Sequence, residues 1–169
     1  PRSVPFFNEY EETKAAAEEL VKSYSRDGME CVIVNPTRVY GPGPVNESNS
    51  VTSMISMYSR GRWRIIPGDG TCVGNYVLVD DVVRGHIQAA LMGKAGHRYI
   101  LGGDNITFDQ FFETLADLTG KRRWLIRFPV SLMTVVARVM EWQAGITGIA
   151  PLITAPWVKK YLNHWSLSS

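Results

Sequence analysis

At about 100° per residue, Tyr10, Lys14, Ala17, Val21 and Tyr24 fall on one narrow stripe. Glu11, Glu12, Ala15, Glu19, Lys22 and Ser23 occupy much of the other side. The spacing predicts a helix from an Asn8 N-cap to Asp27, stopped by Gly28, with Lys14 on its packed face beside Tyr10. The apolar run Cys31 to Pro36 predicts a strand buried on both sides in a parallel sheet. The following "TRVYGPGPVNESNS", with Gly41, Pro42, Gly43 and Pro44, predicts irregular structure. Val51, Met54, Ile55 and Tyr58 carry helical spacing up to Gly61.

"RWRIIP" then reads as a short strand, "GDG" as a turn and "NYVLV" as another strand. Asp80 is expected to cap a helix from Asp81 to Met92, buried through Val83, Ile87, Ala90 and Leu91. "RYIL" predicts a further strand, and Thr107 to Gln110 a capping box ahead of a Phe108, Phe111, Phe112 and Leu115 stripe. "RWLIRF" is a strand candidate, Pro129 opens a helix over Val130 to Trp142, and a last helix covers Ala155 to Leu162. Alternating helices and strands define an α/β fold with a parallel sheet, on which the apolar helices after Pro129 form a cap.

Composition narrows the classes. The chain has 169 residues, 45% of them apolar, and a net charge of +2 with no basic stripe interleaved with aromatics, which argues against a nucleic-acid partner. Cys31 and Cys72 lack metal-ligand spacing and read as buried reduced thiols of a cytoplasmic protein. His86, His97 and His164 have no metal-like neighbours in the sequence. The apolar region Phe128 to Trp157 is interrupted by Arg138, Glu141, glycines and prolines, so no integral membrane span is expected. Core and cap packing is the expected role of that region, ahead of contact with a membrane surface. The first residues show neither a strand nor a glycine-rich turn, which reads as a segment of a larger protein.

A lysine on a packed helix face needs a reason, because a buried ammonium is costly unless paired. One turn from Tyr10, it would favour the phenolate and suit the phenol to proton exchange with an alcohol or carbonyl. The ammonium could also bond the vicinal hydroxyls of a ribose. The bland alternative is a snorkelling lysine with its head in water, and YxxxK alone is a common pattern.

Context sharpens the reading. "YEETKAAAEEL", then "VIVNPTRVYGPG", then "NYVLVDDVVRGHIQAAL", in that order and spacing, resembles the extended short-chain dehydrogenase/reductases, which include the NAD-dependent epimerases and dehydratases. The similarity is greatest to the dihydroflavonol reductase-like and hydroxysteroid dehydrogenase-like branch, and corresponds to its C-terminal half. The resemblance implies the C-terminal part of a Rossmann-like parallel sheet, over residues 1–121 with substrate-region insertions around 41–75, and a mainly helical substrate cap over 122–169. It implies Tyr10 as catalytic acid/base and Lys14 as its partner and ribose ligand. It also implies that Asn35, Pro36, Thr37 and Val39 line the cofactor pocket. Arg38, Tyr40 and Tyr76 are substrate-side candidates, although Arg38 could equally brace its loop. Asp81 corresponds to an acidic residue of mainly structural role, and helix capping explains both Asp80 and Asp81.

The implied cofactor is NAD or NADP, with NADP favoured, and the implied assembly is a homodimer. The family's glycine-rich phosphate turn, its cofactor-selecting residue and its catalytic Ser or Thr have no counterpart here, so the segment alone is expected to be inactive. Three functions follow: an oxidoreductase of a carbonyl/alcohol pair, a nucleotide-sugar epimerase or dehydratase, and a non-catalytic cofactor-binding relative. Val73, Gly74 and Asn75 supply no cation for a sugar diphosphate ahead of Tyr76, whereas Trp124, Phe128, Leu132, Met133, Val136, Met140 and Trp142 suggest an apolar lining. A small or hydrophobic carbonyl compound is therefore the expected substrate, with Arg60, Arg62 and Arg64 as the cations that could reverse that ranking.

Overall fold

A computed structural model of the chain describes residues 6, 9–43, 49–148, 154–161 and 163–167. The elements run α1 (Glu9–Arg26), β1 (Ile33–Pro36), β2 (Arg38–Tyr40), α2 (Ser50–Ser59), β3 (Ile65–Pro67), β4 (Val73–Leu78) and α3 (Val79–Met92). They continue with β5 (Arg98–Leu101), β6 (Asp104–Thr107), α4 (Phe108–Thr119), β7 (Ile126–Phe128), α5 (Val130–Thr147) and α6 (Ala155–Tyr161). The chain divides into two compact units, one of Pro1–Ser53 with Asn75–Asp104 and one of Met54–Gly74 with Asn105–Ser169.

In the first unit, β1 pairs in parallel with β5, from Ile33↔Arg98 to Pro36↔Leu101. β2 pairs in parallel with β4, from Arg38↔Tyr76 to Tyr40↔Leu78. The expectation of irregular structure after Pro36 therefore fails for Arg38–Tyr40. Those residues extend because Tyr76–Leu78 offers them a ladder, which outweighs the breakers that begin only at Gly41. The expected Asn8 N-cap and residues 44–48 lie outside the described residues, as does Leu162 at the end of the last predicted helix.

Three burial expectations are also corrected. No residue of α1 is buried, and Lys14 is exposed rather than packed. β1 is not buried on both sides: Ile33 alone is buried and Pro36 is exposed. In α3 the buried residues are Val82 and Ala89, while Val83, Ile87, Ala90 and Leu91 are exposed. The cause is the same each time. An apolar stripe marks a side that prefers cover, but only neighbouring surface supplies it. Asp80 is not the N-cap of α3 either, because β4 passes directly into the helix and Leu78 holds that position without a side-chain bond. Asp80 and Asp81 lie in the first turn, where their charge meets the positive helix end.

The second unit follows its local signals closely. β3 and β7 pair in parallel through Ile65↔Ile126. α4 begins with the complete capping box, Gln110 N–H donating to Thr107 and Thr107 N–H to Gln110 Oε1 at 2.8 Å. Phe108, Phe111, Phe112 and Leu115 are all buried. Phe112 has ring centroids of Tyr58 at 5.6 Å, Trp63 at 6.3 Å and Phe111 at 5.4 Å around it. In the turn after β3, Asp69 accepts the Thr71 N–H at 3.0 Å and the Thr71 hydroxyl at 2.7 Å. Gly70 there takes φ 85°, and a Cβ on it would run into Asp109 and Arg127.

Two outcomes test this packing. Phe112→Ala is expected to cost about 3–5 kcal/mol, as for other buried aromatic truncations, read as a lower urea midpoint at unchanged slope. The Thr71 backbone N–H, then its hydroxyl, hold the Asp69 carboxyl below the usual carboxylate range. The folded-state value being depressed, this turn's contribution is full above the unfolded value and fades as pH falls through the folded one. Thr71→Val keeps the N–H and removes the hydroxyl, so the Asp69 titration followed by NMR should move part of the way back up.

Candidate active site

The carboxyl ends of parallel strands are where α/β folds place ligands. α1 precedes β1 and runs antiparallel to it: the Cys31 thiol bonds the Val21 carbonyl at 3.6 Å, and Asn35 Nδ2 donates to Glu18 at 2.8 Å. Moving forward along β1 therefore moves backward along α1. Lys14 and Tyr10 lie one and two turns before Glu18, about 6 and 12 Å along the axis. They project past Asn35 at the carboxyl end of β1, the end from which Thr37 to Tyr40 departs. Tyr10 is 64% exposed, and Lys14 Nζ stands 5.7 Å from its ring centroid. Among the described residues Lys14 forms no salt bridge, so its three donors are not committed to a carboxylate.

The segment beyond β1 is held by one buried amide. Asn75, 3% exposed, accepts the Thr37 hydroxyl at 2.8 Å and the Gly103 N–H at 2.9 Å on Oδ1. Its Nδ2 donates to the Gly103 carbonyl at 2.8 Å. Thr37 N–H also donates to the Leu101 carbonyl at 3.0 Å. A Cβ on Gly103 would collide with the Tyr76 carbonyl, so this close approach requires glycine. Arg38 Nη1 donates to Tyr76 Oη at 3.1 Å, with its guanidinium 5.5 Å from the buried ring. Arg38 therefore braces its own segment. Val39 and Tyr40 are half-buried opposite Val77 and Leu78, and Pro36 is exposed.

The structure thus gathers Asn35 to Tyr40 and Tyr76 at one end of the strands, with α1 tied to them through Glu18. The pattern of apolar positions did not single out Glu18, Asn75 or Gly103. Asn75 carried a usable signal: an amide inside an otherwise apolar strand must find buried partners. This donor set suits the ribose and nicotinamide part of a dinucleotide: an uncommitted ammonium, an exposed phenol and a rigid extended segment.

Residues 2–102 match the NAD dependent epimerase/dehydratase family, and the chain belongs to that family. It is 33% identical over 134 residues to sterol demethylase protein B of Methylococcus capsulatus, covering 79% of this chain and 39% of that protein. It is 30% identical over 150 residues to 3beta-hydroxysteroid-dehydrogenase/decarboxylase isoform 1 of Arabidopsis thaliana, covering 82% of this chain and 34% of that protein. The crystal structure of UDP-glucose 4-epimerase with UDP-glucose from Thermotoga maritima superimposes with a TM-score of 0.60 at 31% identity, over 69% of this chain and 38% of the other. The chain thus spans well under half the length of each.

Breaking the amide clamp gives a direct test. Asn75→Leu removes this partner from the half-buried Thr37 hydroxyl and from both backbone groups of the exposed Gly103, and is expected to cost about 1–3 kcal/mol in all. Hydrogen exchange at the Gly103 amide should accelerate more than exchange within α4.

Proposed function

We propose that the complete protein containing this chain is an NAD(P)-dependent oxidoreductase that interconverts a carbonyl compound and its alcohol. One observation carries the proposal: an exposed tyrosine and an uncommitted lysine sit one turn apart, past the carboxyl end of β1. NAD or NADP, when bound, supplies or accepts the hydride. Lys14 bonds the ribose hydroxyls and keeps positive charge beside the phenol. Tyr10 gives its proton to the carbonyl oxygen during reduction and takes it back during oxidation. Asn35, Pro36, Thr37 and Val39 border the nicotinamide side, while Arg38, held by Tyr76, and Tyr40 border the substrate side. Residues 1–121 act as the C-terminal part of the dinucleotide-binding domain and 122–169 as its substrate cap, within a homodimer.

The substrate reading favours a hydrophobic carbonyl compound. Support comes from the sterol and hydroxysteroid names of two relatives and from the lack of a cation at Val73, Gly74 and Asn75. The sugar-nucleotide epimerase among the structural neighbours defines the competing reading.

Tyr10→Phe should lower turnover about a hundredfold or more with cofactor affinity retained, as expected for loss of an acid/base group. Lys14→Ala should lower both. Retention of most of the rate by Tyr10→Phe would remove Tyr10 as the proton donor. Saturation by uridine diphosphate sugars, set against reduction of hydrophobic ketones, decides the substrate class, and tight sugar-nucleotide binding would reverse it.

A further inference from the structure

α5 is apolar on two faces. Its inner face places Met133 and Ala137 in a core with Val158 of α6, and Phe128 of β7 packs against them. Its outer face carries Leu132, Val135, Val139, Trp142 and Ile146, all exposed, with Trp142 at 71% and Ile146 at 68%. Alternating steps of three and four keep these side chains on one stripe, about 21 Å long at the helical rise. Ile126, two residues before Phe128 on β7, faces the side of the strand that α5 covers. Its register partner Ile65 lies beside it, and both are exposed. The isoleucine pair and Trp124, 78% exposed, add further exposed apolar surface to the same unit.

Cations adjoin the isoleucine pair. Tyr58 Oη donates to the Lys121 carbonyl at 3.0 Å, Arg123 Nη2 to the Ser59 carbonyl at 3.2 Å and Ile126 N–H to the Arg64 carbonyl at 2.8 Å. These bonds draw 60–64 and 121–126 together, so Arg60, Arg62, Arg64, Lys121 and Arg122 cluster, all exposed. None forms a salt bridge with a described carboxylate. Met54–Gly74 with Asn105–Ser169 holds ten basic and five acidic residues, against eight and eleven in the rest of the chain. The positive charge therefore belongs to the same unit as the apolar stripe.

We propose that this face of the second unit docks on an anionic phospholipid surface, with the α5 stripe, Trp124 and Trp142 at the acyl boundary and the arginines on the headgroups. No helix among the described residues is long and apolar enough to cross a membrane, so the contact is peripheral. A second copy fits less well. A helix seam between copies is commonly framed by opposite charges, whereas α5 carries only Arg138 and Glu141, and Glu141 is engaged by the Ala155 N–H at 2.8 Å.

The test is flotation of the complete protein with vesicles of phosphatidylcholine alone or doped with phosphatidylglycerol. Flotation is expected with the doped vesicles only, weakening as salt rises. Arg62→Glu and Arg122→Glu should each lower apparent affinity about fivefold or more, the loss expected per surface cation. Val139→Glu should abolish flotation while leaving circular dichroism unchanged. No flotation with doped vesicles, or equal flotation of Val139→Glu, overturns the proposal. So does a protein that does not float and whose dimer, seen by light scattering, is dissociated by Val139→Glu, since a second copy then covers the stripe.

Discussion

Asn75 sits where β4 passes the segment after β1, and its amide satisfies a hydroxyl and both backbone groups of one residue, Gly103, at once. A buried amide leaves little freedom, because each lost partner exposes another group to desolvation without compensation. Thr37 can therefore take few positions, and Arg38 to Tyr40 must leave it along Tyr76 to Leu78. The parallel ladder, the Arg38–Tyr76 contact and the close approach of Gly103 all follow from that one constraint. The proposed nicotinamide side of the site is thereby attached to a buried amide rather than to a free loop.

The opposite half of the site is built differently. Tyr10 and Lys14 depend on the regularity of α1 and on two bonds near its middle, Asn35 to Glu18 and Cys31 to Val21. Those bonds fix the direction and height of the helix against β1 without burying any of its residues. A pair carried this way keeps its spacing through helical geometry alone, with both side chains accessible. Exposure fits the roles proposed for them, proton exchange by the phenol and hydrogen bonding of hydroxyls by the ammonium.

The two units contrast in their energetics. The second has the denser aromatic core, centred on Phe112, and also the long uncovered apolar stripe of α5. A helix apolar on opposite faces satisfies its own core and still presents an exposed apolar surface, and the excess of cations in the same unit is what favours the anionic partner proposed for it.

By itself the sequence determined what neighbouring residues decide among themselves. The capping box of Thr107 and Gln110, the aromatic stripe of α4, the stops at Gly28 and Gly61 and the one-turn spacing of Tyr10 and Lys14 need only a few adjacent residues. The three ordered motifs also identified the family, because their residue types and spacing are properties of the chain alone. Tertiary structure decided everything that needed a distant partner. Arg38 to Tyr40 became a strand because residues near Tyr76, 38 positions away, offered a ladder. Lys14 and the Val83, Ile87 and Leu91 stripe remained exposed because periodicity names the apolar side of a helix but not the surface that meets it. Asn75 became an anchor for the same reason: a polar side chain reveals its role only when folding places its donors and acceptors.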